Sequence, residues 1–164
     1  MSAEELPIVF DTVVLSNFAA SESIDWLCSR FRTPRTVPAV ERELRRGQAE
    51  EYAFVEGAID ALGTGITVVE ADEATVERFA ERVDSGEAEA LAAAVQRDGI
   101  VATDDVAARE VARENGISFT GSIGILANGV HRGEIDRETA DQWLSEWIRV
   151  AGYYSPVETV EELL

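Results

Sequence analysis

The chain has 164 residues, a length typical of one domain, and its only cysteine, Cys28, excludes an intrachain disulfide. No apolar run reaches the length of a membrane span and no secretory leader opens the sequence, so we expect a cytoplasmic protein without membrane association. Its 32 acidic and 14 basic residues, all of the latter arginine, give a net charge of −18, which is typical of a salt-rich cytoplasm and predicts a halophilic source. The alternative interpretation is an ordinary acidic protein from a GC-rich genome that favours arginine.

The first half of the chain predicts short strands that alternate with helices. An apolar run over residues 7–14, interrupted only by Asp11, is typical of a buried first strand. The next elements are expected to be a helix over residues 16–31, a strand at 36–37, a helix from Pro38 to about Gly47, a helix over 50–62, a strand over 66–69 and a helix over 74–83.

The second half repeats this alternation. Its expected elements are a helix over residues 85–97, a strand over 100–103, a helix over 106–114, a strand over 117–120, a helix from Ser122 to His131 and a helix over 137–150. Ser122 is a candidate N-cap, His131 is expected to be structural, and Trp143, Leu144 and Trp147 are expected in the core. Short strands separated by helices predict a three-layer α/β/α fold with a central, mainly parallel sheet, in one domain over residues 1–164.

Acidic side chains recur near the predicted carboxyl ends of strands, where open parallel sheets bind their ligands. They are Asp11 at the first strand, Glu43 one turn into the helix after the second, Glu87 and Glu89 at the start of the alanine-rich helix, and Asp104 and Asp105 after residues 100–103. Converging carboxylates repel one another unless a cation is bound, and oxygen ligands select Mg²⁺ or Mn²⁺. Because such ions activate water and stabilise charge on a phosphodiester, the pattern predicts phosphodiester hydrolysis.

Each acid also has a structural interpretation. Asp104 or Asp105 could cap the following helix, and Glu87 could complement the helix dipole. Glu43 could be an exposed helix acid beside arginines. Asp11, inside an apolar strand, is the residue that a surface role explains least well.

A basic segment contrasts with the acidic chain, since residues 30–46 carry a local net charge of +4. One interpretation is an edge that contacts phosphates, for which the candidate RNA-contacting residues are Arg32, Arg35, Arg45 and Arg46. The other is a solvated surface whose arginines pair with acids elsewhere in the fold.

Four segments together resemble the PIN-domain family. They are FDTVVLSNFA from residue 10, VPAVERELRRG from 37, SGEAEALAAAVQRDG from 85 and IVATDD from 100, and the resemblance continues through GSIGIL from 121 over essentially the whole chain. It implies a PIN-like fold and a metal-dependent ribonuclease with Asp11, Glu43, Glu87 or Glu89, and Asp105 as its acids. The spacing of eighteen residues between Glu87 and Asp105 favours Glu87 over Glu89.

The resemblance also implies ligands and partners. Asp11, Glu43, Glu87 and Asp105 would hold Mg²⁺ or Mn²⁺, with Asp104 as a second candidate ligand at the last position. The supporting residues would be Thr103, from a Thr-x-Asp pattern, Ser16 or Asn17 near the first acid, and Glu89. The implied partners are an RNA substrate, a second copy in a homodimer and, for a toxin of the VapC type, an antitoxin protein.

Three other classes of function fit less well. A catalytically inactive PIN-like module that binds RNA or protein is the main alternative, but every acidic position is filled. A response-regulator-like phosphate acceptor should carry a strand-end lysine, and the chain has no lysine. A dinucleotide-binding domain should carry Gly-x-Gly-x-x-Gly after its first strand, and none is present.

Overall fold

The structure, a computed structural model that describes residues 5–164, has five strands in these residues, which form one all-parallel sheet in the order β3-β2-β1-β4-β5. The strands are β1 (Ile8–Phe10), β2 (Pro34–Thr36), β3 (Thr67–Val68), β4 (Ile100–Ala102) and β5 (Ser118–Thr120). Strand β1 is central, because Ile8 is in register with Pro34 on one side and Ile100 on the other. The predicted α/β class with a parallel sheet is confirmed.

Helices connect the strands and cover both faces of the sheet. They are α1 (Thr12–Ala20), α2 (Ile24–Arg30), α3 (Pro38–Ala49), α4 (Glu56–Ala61), α5 (Glu73–Ala80), α6 (Ser85–Gln96), α7 (Val106–Glu114), α8 (Ser122–His131) and α9 (Arg137–Glu146). Helix α1 contacts α2, α3, α4, α8 and α9, whereas α6 contacts α5, α7 and strands β1 and β4, and α3 contacts both α1 and α6. Because the chain reverses its direction across the sheet after β3, right-handed connections place the α1 and α6 groups on opposite faces. This confirms the predicted three layers.

The first strand is shorter than the apolar run suggested, because Asp11 ends it. The Asp11 backbone is extended (φ −84°, ψ 167°), its carboxylate accepts a hydrogen bond from the Thr12 N–H, and α1 begins at Thr12. The β-branched residues 12–14 favour a strand locally. Burial of Val14 and Phe18 on one side of a helix outweighs that preference.

Three predicted helices are divided. Residues 16–31 form α1 and α2 with a turn between them, where Glu22 has a positive φ of 54° and the Ser21 and Ser23 hydroxyl groups bond to the Phe18 carbonyl oxygen. Residues 50–62 form a short 3-10 helix (Ala53–Val55) and then α4. The last long helix ends at Glu146 and continues as a π-helical turn over Trp147–Ala151.

One hydrophobic core extends from β1 to the C-terminal segment. Trp147 and Leu144 are fully buried, as predicted, and the partly buried Trp143 lies 5.3 Å from Trp26, centroid to centroid. His131 is exposed at the end of α8 and shows no contact with the acids described below. Across residues 5–164, every helix is too short or too polar to traverse a lipid bilayer.

Candidate functional site

The strand order reverses between β1 and β4, and the carboxyl ends of these two strands carry the first acids. The Asp11 N–H donates to the Ala102 carbonyl oxygen over 2.9 Å. The Thr103 hydroxyl donates to Asp11 Oδ2 over 3.2 Å and accepts from the Asp105 N–H over 3.2 Å. Thr103, which is 1% exposed, therefore fixes Asp11 and Asp105 on either side of the crevice in which parallel sheets bind ligands.

Glu43, in the second turn of α3, extends to the same crevice. The Thr12 hydroxyl donates to Glu43 Oε2, while the Thr12 N–H donates to Asp11 Oδ1 over 2.8 Å. A Cβ atom at Gly86 would lie 2.7 Å from Glu43 Oε1. Glu43 therefore lies between the first turns of α1 and α6, in a space that is open because residue 86 is glycine.

Helix α6 begins with two further acids that form a capping box. Asp84 Oδ1 accepts from the Glu87 N–H over 3.1 Å, and Glu87 Oε2 accepts from the Asp84 N–H over 3.3 Å. Asp84 is not among the acids expected from the sequence. The Asp-x-x-Glu spacing that announces a capping box is present in the sequence and could have identified it.

Burial and mutual repulsion perturb these carboxylates. Desolvation raises the pKa of Asp11 from 3.8 to about 7, opposed by the hydrogen bond from the Thr12 N–H and reinforced by the charges of Glu43 and Asp84. Desolvation also raises the pKa of Glu87 from 4.5 to about 8, with repulsion from Asp11, Asp84 and Asp105. We refer to these five residues, Asp11, Glu43, Asp84, Glu87 and Asp105, as the acidic cluster. Perturbation of this kind is typical of functional sites.

The role of Thr103 gives a first prediction. At a pH well above the Asp11 pKa of about 7, Thr103→Val should lower the free energy of unfolding by about 1–3 kcal/mol, because a buried carboxylate loses a donor. Well below that pH the loss should be smaller, since protonated Asp11 is neutral. Thr103→Ser keeps the hydroxyl group and is the matched control. Urea denaturation at both pH values tests this, and equal losses for the Val and Ser variants would contradict it.

The acidic cluster fits a divalent cation by its chemistry. Among residues 5–164, no three acidic, histidine or cysteine side chains lie close enough, as positioned, to hold a metal ion between them. Glu87 is engaged in the capping box, and Asp105 Oδ1 accepts from the Ala108 N–H over 2.8 Å at the start of α7. All donors are carboxylate oxygens, however, and a hard cation would offset the burial and the repulsion that raise the pKa of Asp11 and Glu87.

Asp104 has partners outside the acidic cluster. Its Oδ1 accepts from the Ser122 N–H over 2.8 Å, its Oδ2 accepts from the Ser122 hydroxyl over 2.6 Å, and Arg109 Nη2 lies 3.6 Å from Oδ1. The Asn17 amide donates to the same hydroxyl over 3.0 Å. The N-cap of α8 is Gly121, so the expectation that Ser122 caps this helix is wrong. The first N–H group of the helix, that of Ser122, donates instead to Asp104, which lies in the loop after β4. Asp104 thus holds α8 in place, and Asn17 supports it.

Glu89 also points elsewhere. It accepts from the Ala39 N–H over 3.1 Å at the start of α3 and pairs with Arg42 at 3.4 Å. Burial of the helix does not distinguish Glu89 from Glu87, because residues 90–94 are all fully buried. Their partners do distinguish them and favour Glu87. Ser16, also on α1, shows no side-chain hydrogen bond to an acid among residues 5–164.

Ion pairs account for much of the basic segment. Arg45 is held by Glu41 at 2.8 Å, and Arg32 pairs with Glu5 at 3.5 Å. Arg32 precedes β2 and therefore lies toward the amino ends of the strands, whereas the acidic cluster lies at their carboxyl ends. Arg35 lies within β2, half-buried, and its Nε finds no hydrogen-bond partner in the described chain. Arg46 is exposed on α3, with no ion pair among the same residues. These contacts favour the interpretation of a solvated surface for Arg32 and Arg45.

Comparison with known proteins agrees with this geometry. A family model described as a PIN domain matches residues 7–164, a range that includes the sheet and the whole acidic cluster. No curated protein matches the chain.

Proposed function

Because the chain belongs to the PIN-domain family, we propose that it is a metal-dependent endoribonuclease that hydrolyses RNA phosphodiester bonds. Nuclease activity is the usual activity of this family. The observation that carries the proposal is the acidic cluster beside the carboxyl ends of β1 and β4, in which burial and repulsion raise the pKa of Asp11 to about 7 and that of Glu87 to about 8. A divalent cation would neutralise this negative charge, and PIN domains typically use such cations.

The residues that would hold Mg²⁺ or Mn²⁺ are Asp11, Glu43, Glu87 and Asp105, with Asp84 beside them. When bound, the cation supplies a Lewis acid that lowers the pKa of water and stabilises negative charge on the phosphodiester. The chain supplies the orientation of the ligands. Thr12 holds Asp11 and Glu43, Thr103 holds Asp11 and Asp105, and Asp84 fixes the first turn of α6 beneath Glu87.

The pKa of Glu87, about 8, predicts that this carboxyl group carries a proton near neutral pH in the metal-free protein. Cation binding displaces that proton, so affinity for the metal should rise with pH through this range. Asp11, with a pKa of about 7, acts in the same direction.

The proposal is tested by RNA cleavage with Mn²⁺ or Mg²⁺ in KCl buffer, comparing the wild-type protein with Glu87→Gln and Glu89→Gln. Glutamine at 87 retains an oxygen for the Asp84 N–H and removes only the charge. We expect cleavage to fall about 100-fold or more for Glu87→Gln, and EDTA to abolish it. The matched control, Glu89→Gln on the same helix, loses an exposed pair with Arg42 and should stay near wild type.

Three outcomes would contradict the assignment. Loss of cleavage in Glu89→Gln but not in Glu87→Gln would show that Glu89, and not Glu87, is the acid of the site on α6. Cleavage that persists in EDTA and in both variants would exclude the acidic cluster as the catalytic site and indicate a contaminating nuclease or a different site. No cleavage by the folded, metal-loaded wild-type protein across several RNAs would favour the alternative, an inactive module that binds RNA or protein.

Four finer properties stay predictions. The toxin role with an antitoxin partner and the homodimer are implied by the resemblance, and the cytoplasmic location and the halophilic source by the composition. Arrest of growth on expression of the wild-type chain, but not of Asp11→Asn, would support the toxin role. Sedimentation at several KCl concentrations would determine the oligomeric state.

A further inference from the structure

Helix α7 carries its charges on two different sides. On one side, Glu114 pairs with Arg82, whose pKa is raised by Glu114 and, less strongly, by Glu110. The acids of the helix are thus directed toward the end of α5. The arginines at positions 109 and 113 each precede one of these acids by one residue and lie about 100° away around the helix.

On this second side, Arg109 and Arg113 lie over the ring of Phe119, with their guanidinium carbons 5.8 and 5.4 Å from its centroid. Phe119 belongs to β5, an edge strand of the sheet. Arg113 is exposed, and the Arg109 side chain is 36% exposed. We call Arg109 and Arg113 the arginine strip.

The arginine strip continues directly from the acidic cluster, because Asp105 is the N-cap of the same helix. Arg109 and Arg113 are four and eight residues beyond Asp105, which corresponds to about 6 and 12 Å along the helix axis. Arg109 is also anchored toward the site, since its Nε donates to the Thr103 carbonyl oxygen over 3.0 Å.

We propose that the arginine strip binds neighbouring phosphates of the RNA strand as it extends from the acidic cluster along α7; this inference rests on the proposed function. Guanidinium groups bind phosphate through paired hydrogen bonds, and contact with Phe119 restricts their motion before RNA arrives. In a chain with a net charge of −18, cations beside the cluster are what allows a polyanion to approach. On α3, by contrast, Arg45 is already held by Glu41.

The contact between Arg109 and Asp104 is compatible with this role. At 3.6 Å it is a long ion pair, and Asp104 already accepts two hydrogen bonds from Ser122. A Cβ atom at Gly121 would lie 1.9 Å from Arg109 Nη2, so glycine at this position leaves room for the guanidinium group. Arg113 forms no ion pair with an acid among residues 5–164 and is the residue to test first.

The test measures RNA binding separately from cleavage. Fluorescence anisotropy of a labelled RNA oligonucleotide is recorded on the Asp11→Asn background, alone and with Arg113→Gln, Arg109→Gln or Arg149→Gln. Arg149 is the control, an exposed arginine paired with Glu146 in the C-terminal π-helical turn. We expect each strip variant to weaken binding about 3- to 10-fold and to lower the slope of log affinity against log KCl by about 0.7–1, whereas Arg149→Gln has little effect.

The outcomes separate the two proposals. If the Asp11→Asn protein binds RNA and both strip variants bind as tightly as it does, the proposed role of the arginine strip is overturned. Metal-dependent cleavage by the wild-type protein would still support the nuclease. An equal loss in Arg149→Gln would also overturn it, since the effect would then be one of net charge. If the wild type neither cleaves nor binds any RNA, the proposed function fails, and this inference with it. Recovery of binding in Arg113→Lys would support a phosphate contact.

Discussion

Asp11→Asn should abolish RNA cleavage while making the metal-free protein more stable at a pH above 7. Asp11 is 4% exposed, and burial raises its pKa to about 7. Above that pH the folded protein holds a buried charge that the unfolded chain would expose to water. Asparagine has the same shape and its oxygen still accepts from the Thr12 N–H. Its NH2 group replaces Oδ2 and donates to the Thr103 hydroxyl oxygen, which reverses that hydrogen bond while the charge is removed.

The expected loss of cleavage is roughly 1000-fold, the upper end of the cost of removing one preorganised electrostatic group. The expected gain in the free energy of unfolding, in EDTA and above pH 7, is on the order of 1–3 kcal/mol. Asp60→Asn, which removes an exposed acid on α4, is the control for net charge. A variant that loses both activity and stability would indicate that Asp11 serves the fold, whereas an active variant would exclude it from the chemistry.

The metal-free wild-type protein should lose stability as the pH rises from about 4 to about 8. The pKa values of Asp11 and Glu87 are raised in the folded protein, to about 7 and about 8, above ordinary values of 3.8 and 4.5. Between the ordinary pKa and the raised pKa of each group, the folded state binds more protons than the unfolded state. The free energy of unfolding therefore decreases as the pH rises through this range. Above about pH 8 both states are deprotonated at these groups, and the contribution levels off.

A divalent cation should reverse this dependence, because it binds the deprotonated carboxylates of the folded state. Urea denaturation across this pH range, in EDTA and in excess Mg²⁺ or Mn²⁺, measures both effects. The gain from metal should be largest above pH 8 and should disappear in the double variant Asp11→Asn, Glu87→Gln. Equal stabilisation of that double variant by the metal would show that the cation binds outside the acidic cluster and acts as a general salt.

The sequence predicted the fold well where burial is uniform and less well where local preference competes with packing. Strand β4 is buried along its length, and its apolar run located it to within one residue. The end of β1 was missed because residues 12–14 are β-branched, although they begin a helix. The turn at Glu22 contains neither glycine nor proline, and only the packing of α1 and α2 explains its positive φ.

The acids directly after strands were predictable because parallel strands bring their carboxyl ends together. Contacts between distant segments were not. Nothing in the sequence joins Asp104 to Ser122, and that contact separates Asp104 from the acidic cluster. The spacing to Asp105 favoured Glu87 over Glu89, but only the position of Arg42 and the start of α3 shows where Glu89 points. The arginine strip depends on Phe119, which belongs to a different element.

Substitutions at Gly86 and Gly121 would disturb charged side chains in and beside the site, so the positions on which it depends include more than its acids. At each position a neighbouring charged side chain occupies the space of a missing Cβ atom: Glu43 at Gly86, and Arg109 with Asp104 at Gly121. Neither glycine has a positive φ, so backbone strain does not dictate its identity. Selection on the chemistry therefore acts on two residues that take no part in it. In a mutational scan scored for activity, even alanine at these positions would displace a charged group, a loss that inspection of the sequence would attribute to folding.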